Sequence, residues 1–224
     1  MPSRQPLALL FDLDGTLADS IALLLASFRH TFEAHDKPVP PDEEWIAGIG
    51  TPLITQMRHF VPTENEAQRM ILTYREFQRT HHDEMLREFE GVDDTLALLK
   101  SRGHPTALVT SKGNELAHRA LAWLHLTRQI DLVVGMDSTE RHKPNPDPVL
   151  HALAELGSTP SDALFLGDSP HDIEAGNAAG VTSVAALWGP FSRTVLERAS
   201  PTYFLEHIRE LPALVERLDA KRSS

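Results

Sequence analysis

Leu7-Ala8-Leu9-Leu10-Phe11-Asp12-Leu13-Asp14-Gly15-Thr16 is the stretch on which the reading of the chain turns. A short uninterrupted apolar run fits a β-strand buried on both faces. It ends abruptly in two carboxylates two residues apart. While extended geometry lasts, Asp12 and Asp14 point the same way. Unpaired, they repel each other, and a hard divalent cation bound through oxygen removes that repulsion. Gly15 allows a sharp backbone turn close to a ligand. The plainer alternative is that one aspartate caps a following helix, the commoner fate of an isolated Asp-x-Asp. The rest of the chain has to decide.

Similar apolar runs recur at residues 106–110, 132–134, 163–166 and 181–185, with a weaker one at 203–205. Helical patterns lie between them. Across residues 115–124, Leu116, Ala117, Ala120, Leu121 and Leu124 share a face. Across 148–156, Val149, Leu150 and Leu153 do the same, and Gly157 is placed to stop the helix. Strands alternating with helices predict an α/β fold, a Rossmann-like parallel sheet flanked by helices. From residue 20 to 85 the alternation fails and only helical patterns appear. Ile21, Leu24, Leu25, Phe28 and Phe32 form one stripe. Thr51-Pro52 reads as an N-cap followed by Pro at the first helical position. Thr63-x-x-Glu66 reads as a capping box opening a long helix with Ala67, Met70, Ile71, Tyr74 and Phe77 inward. The expectation is a core of residues 1–19 and 86–224 carrying an inserted all-helical cap domain, 20–85. It would stand over the carboxyl edge of the sheet, where open α/β sheets bind ligands.

Composition narrows the function classes. The 224 residues hold 21 Lys plus Arg against 32 Asp plus Glu, a net charge of −11. That balance disfavours general nucleic-acid or membrane-surface binding. Apolar residues make up 41%, enough for a globular core. There is no cysteine, so thiolate catalysis, disulfides and cysteine-bound zinc are excluded. No signal-peptide pattern or membrane span is read, and a cytoplasmic location is expected. Twelve histidines raise the question of zinc, but none of the usual ligand spacings occurs.

Three further places carry chemistry. In Val109-Thr110-Ser111-Lys112 a hydroxyl at a strand end can hold a phosphate oxygen; it can equally cap the next helix. Lys143 lies in His142-Lys143-Pro144-Asn145-Pro146-Asp147-Pro148, where three prolines stiffen the backbone. Its charge can neutralise an aspartate and a phosphate together, or simply be solvated. In Leu166-Gly167-Asp168-Ser169-Pro170-His171-Asp172, Asp168 is placed to complete a metal site with Asp12 and Asp14. Asp172 suits a supporting role, orienting Lys143 or a metal-bound water, unless it only caps a helix. Each of these places sits where one apolar run ends or the next helix begins, and in a parallel sheet all those ends lie on one edge.

Taken together, these motifs resemble the haloacid dehalogenase superfamily over nearly the whole chain. Asp12-Leu13-Asp14-Gly15-Thr16 is similar to its first motif, Ser111 to its second, Lys143 to its third, and Gly167-Asp168 with Asp172 to its fourth. The resemblance implies a Mg2+-dependent phosphohydrolase acting on a small phosphorylated substrate. Asp12 would attack phosphorus, and Asp14 would act as acid, then base. Thr110 or Ser111, with Gly15 and Lys143, would hold the phosphoryl group. The metal would sit on Asp12, the carbonyl of Asp14 and Asp168. Founding dehalogenases lack the second aspartate, so Asp14 argues for a phosphate ester or anhydride.

Within the superfamily the chain looks most like the phosphoglycolate phosphatase group. Tyr74-Arg75-x-Phe77, His81-His82-Asp83-Glu84 and Glu88-Phe89-Glu90-Gly91-Val92 resemble its bacterial pyrophosphatase branch. Pyrophosphate would present a second phosphate to the helical insert, where Arg58, Arg75, His81 and His82 are candidate partners. Gly48-Ile49-Gly50-Thr51-Pro52 resembles a substrate-facing loop, which singles out Thr51. The expected substrate is therefore 2-phosphoglycolate or inorganic pyrophosphate. Alternatives are a β-phosphoglucomutase-like phosphosugar mutase or a non-catalytic binding module on the same fold. Gly91 and the segment after Asp14 are the expected hinges. Monomer and dimer both remain open.

Overall fold

The computed structural model describes residues 5–222. The outermost residues assigned above to the core, 1–4 and 223–224, lie outside the described residues. In chain order the elements are β1 (Ala8–Phe11), β2 (Ala18–Asp19), α1 (Ile21–Ala34), α2 (Asp42–Ile46), α3 (Leu53–Phe60), α4 (Glu64–Met85) and β3 (Arg87–Glu88). There follow α5 (Val92–Ser101), β4 (Thr106–Val109), α6 (Asn114–Trp123), β5 (Leu132–Val134), α7 (Asp147–Leu156) and β6 (Ala163–Gly167). The chain closes with α8 (Pro170–Ala179), β7 (Thr182–Ala186), α9 (Arg193–Glu197), β8 (Tyr203–Leu205) and α10 (Leu211–Arg222).

Six strands form one sheet in the order β5-β4-β1-β6-β7-β8, every pairing parallel. β1 is central and buried along its whole length. Its alternate residues feed two separate cores, as strand pleating demands. Leu9 and Phe11 join Leu108, Leu164 and Leu166 on one face. Ala8 and Leu10 join Ala107, Val109 and Phe165 on the other. From β1 the chain adds strands on one side, β4 then β5. It crosses back at β6 and continues outward through β7 and β8. The direction therefore reverses between neighbours β1 and β6, where a ligand crevice opens at the carboxyl ends of the strands.

The strands and helices read from apolar periodicity appear within a residue or two of their expected ends. Gly157 stops α7 in the left-handed region, at φ 64°. Residues 20–85 contain helices and no strand. A two-stranded antiparallel ribbon flanks them, with Ala18 opposite Glu88 and Asp19 opposite Arg87. Sequence reading missed it, because two-residue strands carry no periodicity. Thr63 accepts a hydrogen bond from the Glu66 amide at 3.3 Å, one arm of the expected capping box, while the Glu66 carboxylate pairs with Lys37 at 2.6 Å instead of returning to Thr63. Thr51-Pro52 behaves otherwise. Pro52 itself is the N-cap of α3, and the Thr51 hydroxyl donates to the Gly48 carbonyl at 2.7 Å. Pro52 is extended at ψ 140°. The residue before a proline avoids helical geometry, which shifts the helix start beyond the pair.

The helices of residues 20–85 have an aromatic core of their own. The Phe28 ring stacks on Trp45 at 4.2 Å between centroids and lies 4.6 Å from Phe32. Phe60 and Tyr74 close around Trp45 at 5.8 and 5.6 Å. Ile173, Ala185 and Leu196 from the sheet side extend the same cluster. Among the described residues, no helix is long and apolar enough to cross a membrane.

Candidate active site

The crevice between β1 and β6 gathers the charged residues. Asp12 leaves the end of β1, and its amide still donates to Leu166 O at 2.9 Å, continuing the sheet by one residue. Lys143 approaches from the loop before α7 and is 3% exposed. Its ammonium donates to Asp12 Oδ1 at 2.6 Å, Asp172 Oδ1 at 2.6 Å and Val109 O at 3.3 Å. Three N–H bonds thus meet three acceptors, the full capacity of a lysine. Asp172 also completes the capping box of α8, its Oδ2 accepting from the Ser169 amide at 3.0 Å and hydroxyl at 2.6 Å. It therefore caps a helix and orients Lys143 with the same carboxylate.

Asp168 ends the motif after β6. Its Oδ1 accepts from the Thr16 hydroxyl at 2.7 Å. Its Oδ2 is buried with no partner. Gly15, at φ 88°, lies so close that a side chain there would collide with the Asp168 carboxylate. Carboxylate oxygens of Asp12, Asp168 and Asp172 lie within 4.8 Å of one another. Burial, with Asp172 and Asp14 adding to it against Lys143, pushes Asp12 up to about 7. Burial, then Asp172 and Asp12, raises Asp168 well above the usual carboxylate range. Burial alone would discharge Lys143, but Asp12 and Asp172 outweigh it and hold the ammonium above its ordinary range.

These facts test whether the residues fit a divalent cation. Three buried carboxylates face one buried ammonium, a local excess of negative charge. Asp168 keeps an unused oxygen, while both Asp172 oxygens are occupied. The donor set is all oxygen, which suits magnesium. The fit is good, with Asp12 and Asp168 as the available ligands and Asp172 supporting them.

Above this cluster lies a cavity bounded by Asp12, Asp14, Thr110 and Ser111 below and by Thr51 and Arg75 above. The Ser111 hydroxyl donates to Gly50 O at 2.5 Å, tying the loop ahead of α3 to the end of β4. Thr110 Oγ1 accepts from the Lys112 amide at 3.2 Å, leaving its own proton for an acceptor in the cavity.

The other expected residues of the helical region are placed elsewhere. Arg58 is an exposed partner of Glu64, at 2.7 and 2.9 Å, and does not line the cavity. His81 packs on Phe77 at 4.2 Å and leans toward Glu84, away from the cavity. His82 lies 8% exposed beside an adjoining recess with Asp14 and Ser20, its Nδ1 2.6 Å from Asp83 Oδ1. Burial lowers its pKa. Consecutive helical residues diverge by about 100°, so His81 and His82 cannot both face one ligand.

Three residues went unread in the sequence. Lys112 sends its ammonium 3.1 Å from Asp14 Oδ2. Gln56 and Gln78 also line the cavity. The position of Lys112, directly after the candidate hydroxyls, was a usable signal; the glutamines gave none.

The chain is an α/β protein with a doubly wound parallel sheet and a carboxylate–lysine cluster at its switch point. The chain belongs to the haloacid dehalogenase-like hydrolases, whose family model matches residues 9–186. A protein of Caldanaerobacter subterraneus subsp. tengcongensis, provisionally named pyrophosphatase PpaX, is 41% identical over 212 residues, covering 95% of this chain and 96% of its own. Pyrophosphatase PpaX of Bacillus cereus is 34% identical over 210 residues, covering 94% and 96%. Among solved structures, a predicted phosphoglycolate phosphatase of Haemophilus somnus shares the fold. Its TM-score is 0.86 at 22% identity, over 95% of this chain and 99% of that one.

Proposed function

We propose that this protein is a magnesium-dependent phosphohydrolase working through a phosphorylated Asp12, with 2-phosphoglycolate or inorganic pyrophosphate as substrate. The observation that carries the reading is the placement of Asp12. It is a buried carboxylate at the switch point, held by Lys143 at 2.6 Å, with Asp14 beside it in the same cavity. The named relatives support the choice of substrate: the sequence relatives are called pyrophosphatases.

In this reading an Asp12 oxygen attacks phosphorus as the leaving oxygen departs, and Asp14 protonates that oxygen. Water, deprotonated by Asp14, then attacks the aspartyl-phosphate and releases phosphate, regenerating Asp12. Two displacements at one carboxylate replace a single harder attack by water. Phosphoryl transfer needs mainly alignment and charge neutralisation. Lys143 and the Thr110 hydroxyl supply part of both, and Gly15 lets its backbone approach closely. Magnesium on Asp12, the Asp14 carbonyl and Asp168 would neutralise charge on the transferred group. Asp172 holds Lys143 in place. Residues 20–85 act as a cap over the cavity, with the β2–β3 ribbon and Gly91 at the crossing points.

The test compares kcat/KM for phosphate release from pyrophosphate and 2-phosphoglycolate at equal free magnesium. A hundredfold preference, equivalent to about 2.7 kcal/mol of transition-state stabilisation, assigns the substrate. Failure to hydrolyse either would overturn the reading.

A further inference from the structure

Lys112 is the cation of the cavity that the catalytic scheme leaves without a task. It follows Thr110 and Ser111 at the end of β4, and its side chain is only 15% exposed. Its ammonium rests on Asp14 Oδ2 at 3.1 Å. Across the cavity, on α4, Arg75 lines the same space. Among the described residues Arg75 has no ion-pair partner. Its neighbours along that helix differ: Arg79 pairs with Glu76 at 2.6 Å. One cation therefore belongs to the sheet side and one to the helical side, and both face a cavity whose floor holds Asp12 and Asp14.

A group that only balanced Asp14 would not need a second, unpaired cation opposite. A substrate whose single phosphate sat on Asp12 would leave Arg75 without a charge partner and Lys112 only on Asp14. A second anionic group, joined by one or two bonds to the scissile oxygen, meets both. Lysine holds such a group as a mobile point charge, while arginine offers a planar fork of donors.

Resting on the phosphohydrolase reading above, we propose that Lys112 and Arg75 form a two-sided clamp for a second anionic group on the substrate, making Lys112 a specificity-determining residue. On binding, the Lys112 ammonium moves from Asp14 to that group, and Arg75 closes on it from the helical side. The Ser111–Gly50 hydrogen bond holds the two sides together. The class selected is a phosphate compound carrying a further phosphate or carboxylate close to the scissile bond. Esters with an uncharged leaving group are rejected.

The test is binding, measured by calorimetry at fixed free magnesium, with methylenediphosphonate against methylphosphonate. Neither is hydrolysed. Wild-type protein should bind the two-anion probe at least tenfold more tightly, and Lys112→Met should abolish most of that preference while Lys112→Arg keeps it. Arg75→Met, on the exposed rim, should weaken it in the same sense and serves if Lys112→Met does not fold. Equal affinities in the wild type, or an unchanged preference in Lys112→Met and Arg75→Met, overturn the clamp. Turnover of pyrophosphate and phenyl phosphate is followed in parallel. A binding preference without any turnover would leave the clamp standing and remove the phosphohydrolase reading instead.

Discussion

Lys143 couples stability to chemistry at the level of one side chain. Its three acceptors are two aspartates and a backbone carbonyl, all buried. Lys143→Met would keep the volume but leave Asp12 and Asp172 facing each other without a cation. Removing one partner of a buried ion pair costs about 3–5 kcal/mol. Urea unfolding with EDTA should show a loss in that range, and a loss below about 1 kcal/mol would contradict the assigned contacts. Asp12 makes a separate prediction about pH. Burial first, then its neighbours, lifts its pKa in the folded chain to about 7, against 3.8 in the unfolded chain. Between those values the folded state binds more protons. By linkage, the stability contributed by this group falls as pH rises from about 4 to 7 and is level above that. In cation-free protein the urea midpoint should therefore drop across this range, and Asp12→Asn should flatten the drop. A parallel slope in both proteins would refute the shift.

Among the elements, the long helix α4 has two jobs, packing Tyr74 inward and presenting Arg75 to the cavity. Its aromatic neighbours make the helical region a packed unit. Phe28, fully buried between Phe32 and Trp45, is the test position. Phe28→Ala should destabilise by about 3–5 kcal/mol, read from denaturant midpoints, since a large buried ring leaves a cavity. A change under 1 kcal/mol would mean that the cluster collapses to fill the space. The sequence announced most of this level. β1 was legible because Leu7 to Phe11 can only be buried on both faces, and α4 because Ala67, Met70, Ile71 and Tyr74 repeat at helical spacing. Asp12 and Asp168 were legible because each ends an apolar run, Asp172 because it opens the next helix, and Lys143 because three prolines surround it. Other features depend on tertiary contact and leave no periodic trace. Arg58 was drawn to Glu64, six residues along, instead of to the cavity. Ser111 and Thr110 looked equivalent until Gly50 took the Ser111 hydroxyl. The β2–β3 ribbon is too short to have a pattern.

For the molecule as a whole, the excess of buried carboxylates at the switch point would tie folding to a cation if the proposed magnesium site is correct. A ligand that binds only the folded state stabilises it by RT ln(1 + [L]/Kd), about 2.7 kcal/mol at a hundredfold excess over Kd. Magnesium should therefore raise the Tm above that in EDTA at pH 7.5, and Asp168→Asn should remove most of the rise. An identical Tm with and without magnesium would contradict the proposed ligand set. The ribbon that joins the two packed regions has a consequence for how such chains are assembled. Ala18 and Glu88 stand opposite each other in an antiparallel pair, so their Cα atoms lie about 5 Å apart. The whole intervening stretch thus leaves and re-enters the sheet side through one narrow doorway. A hairpin turn of a few residues would bridge that doorway, and a foreign helical module with closely spaced ends would fit it equally well. Under the cap reading proposed above, a replacement module entering by this doorway would still have to cover Ile173, Ala185 and Leu196, which the present helices bury.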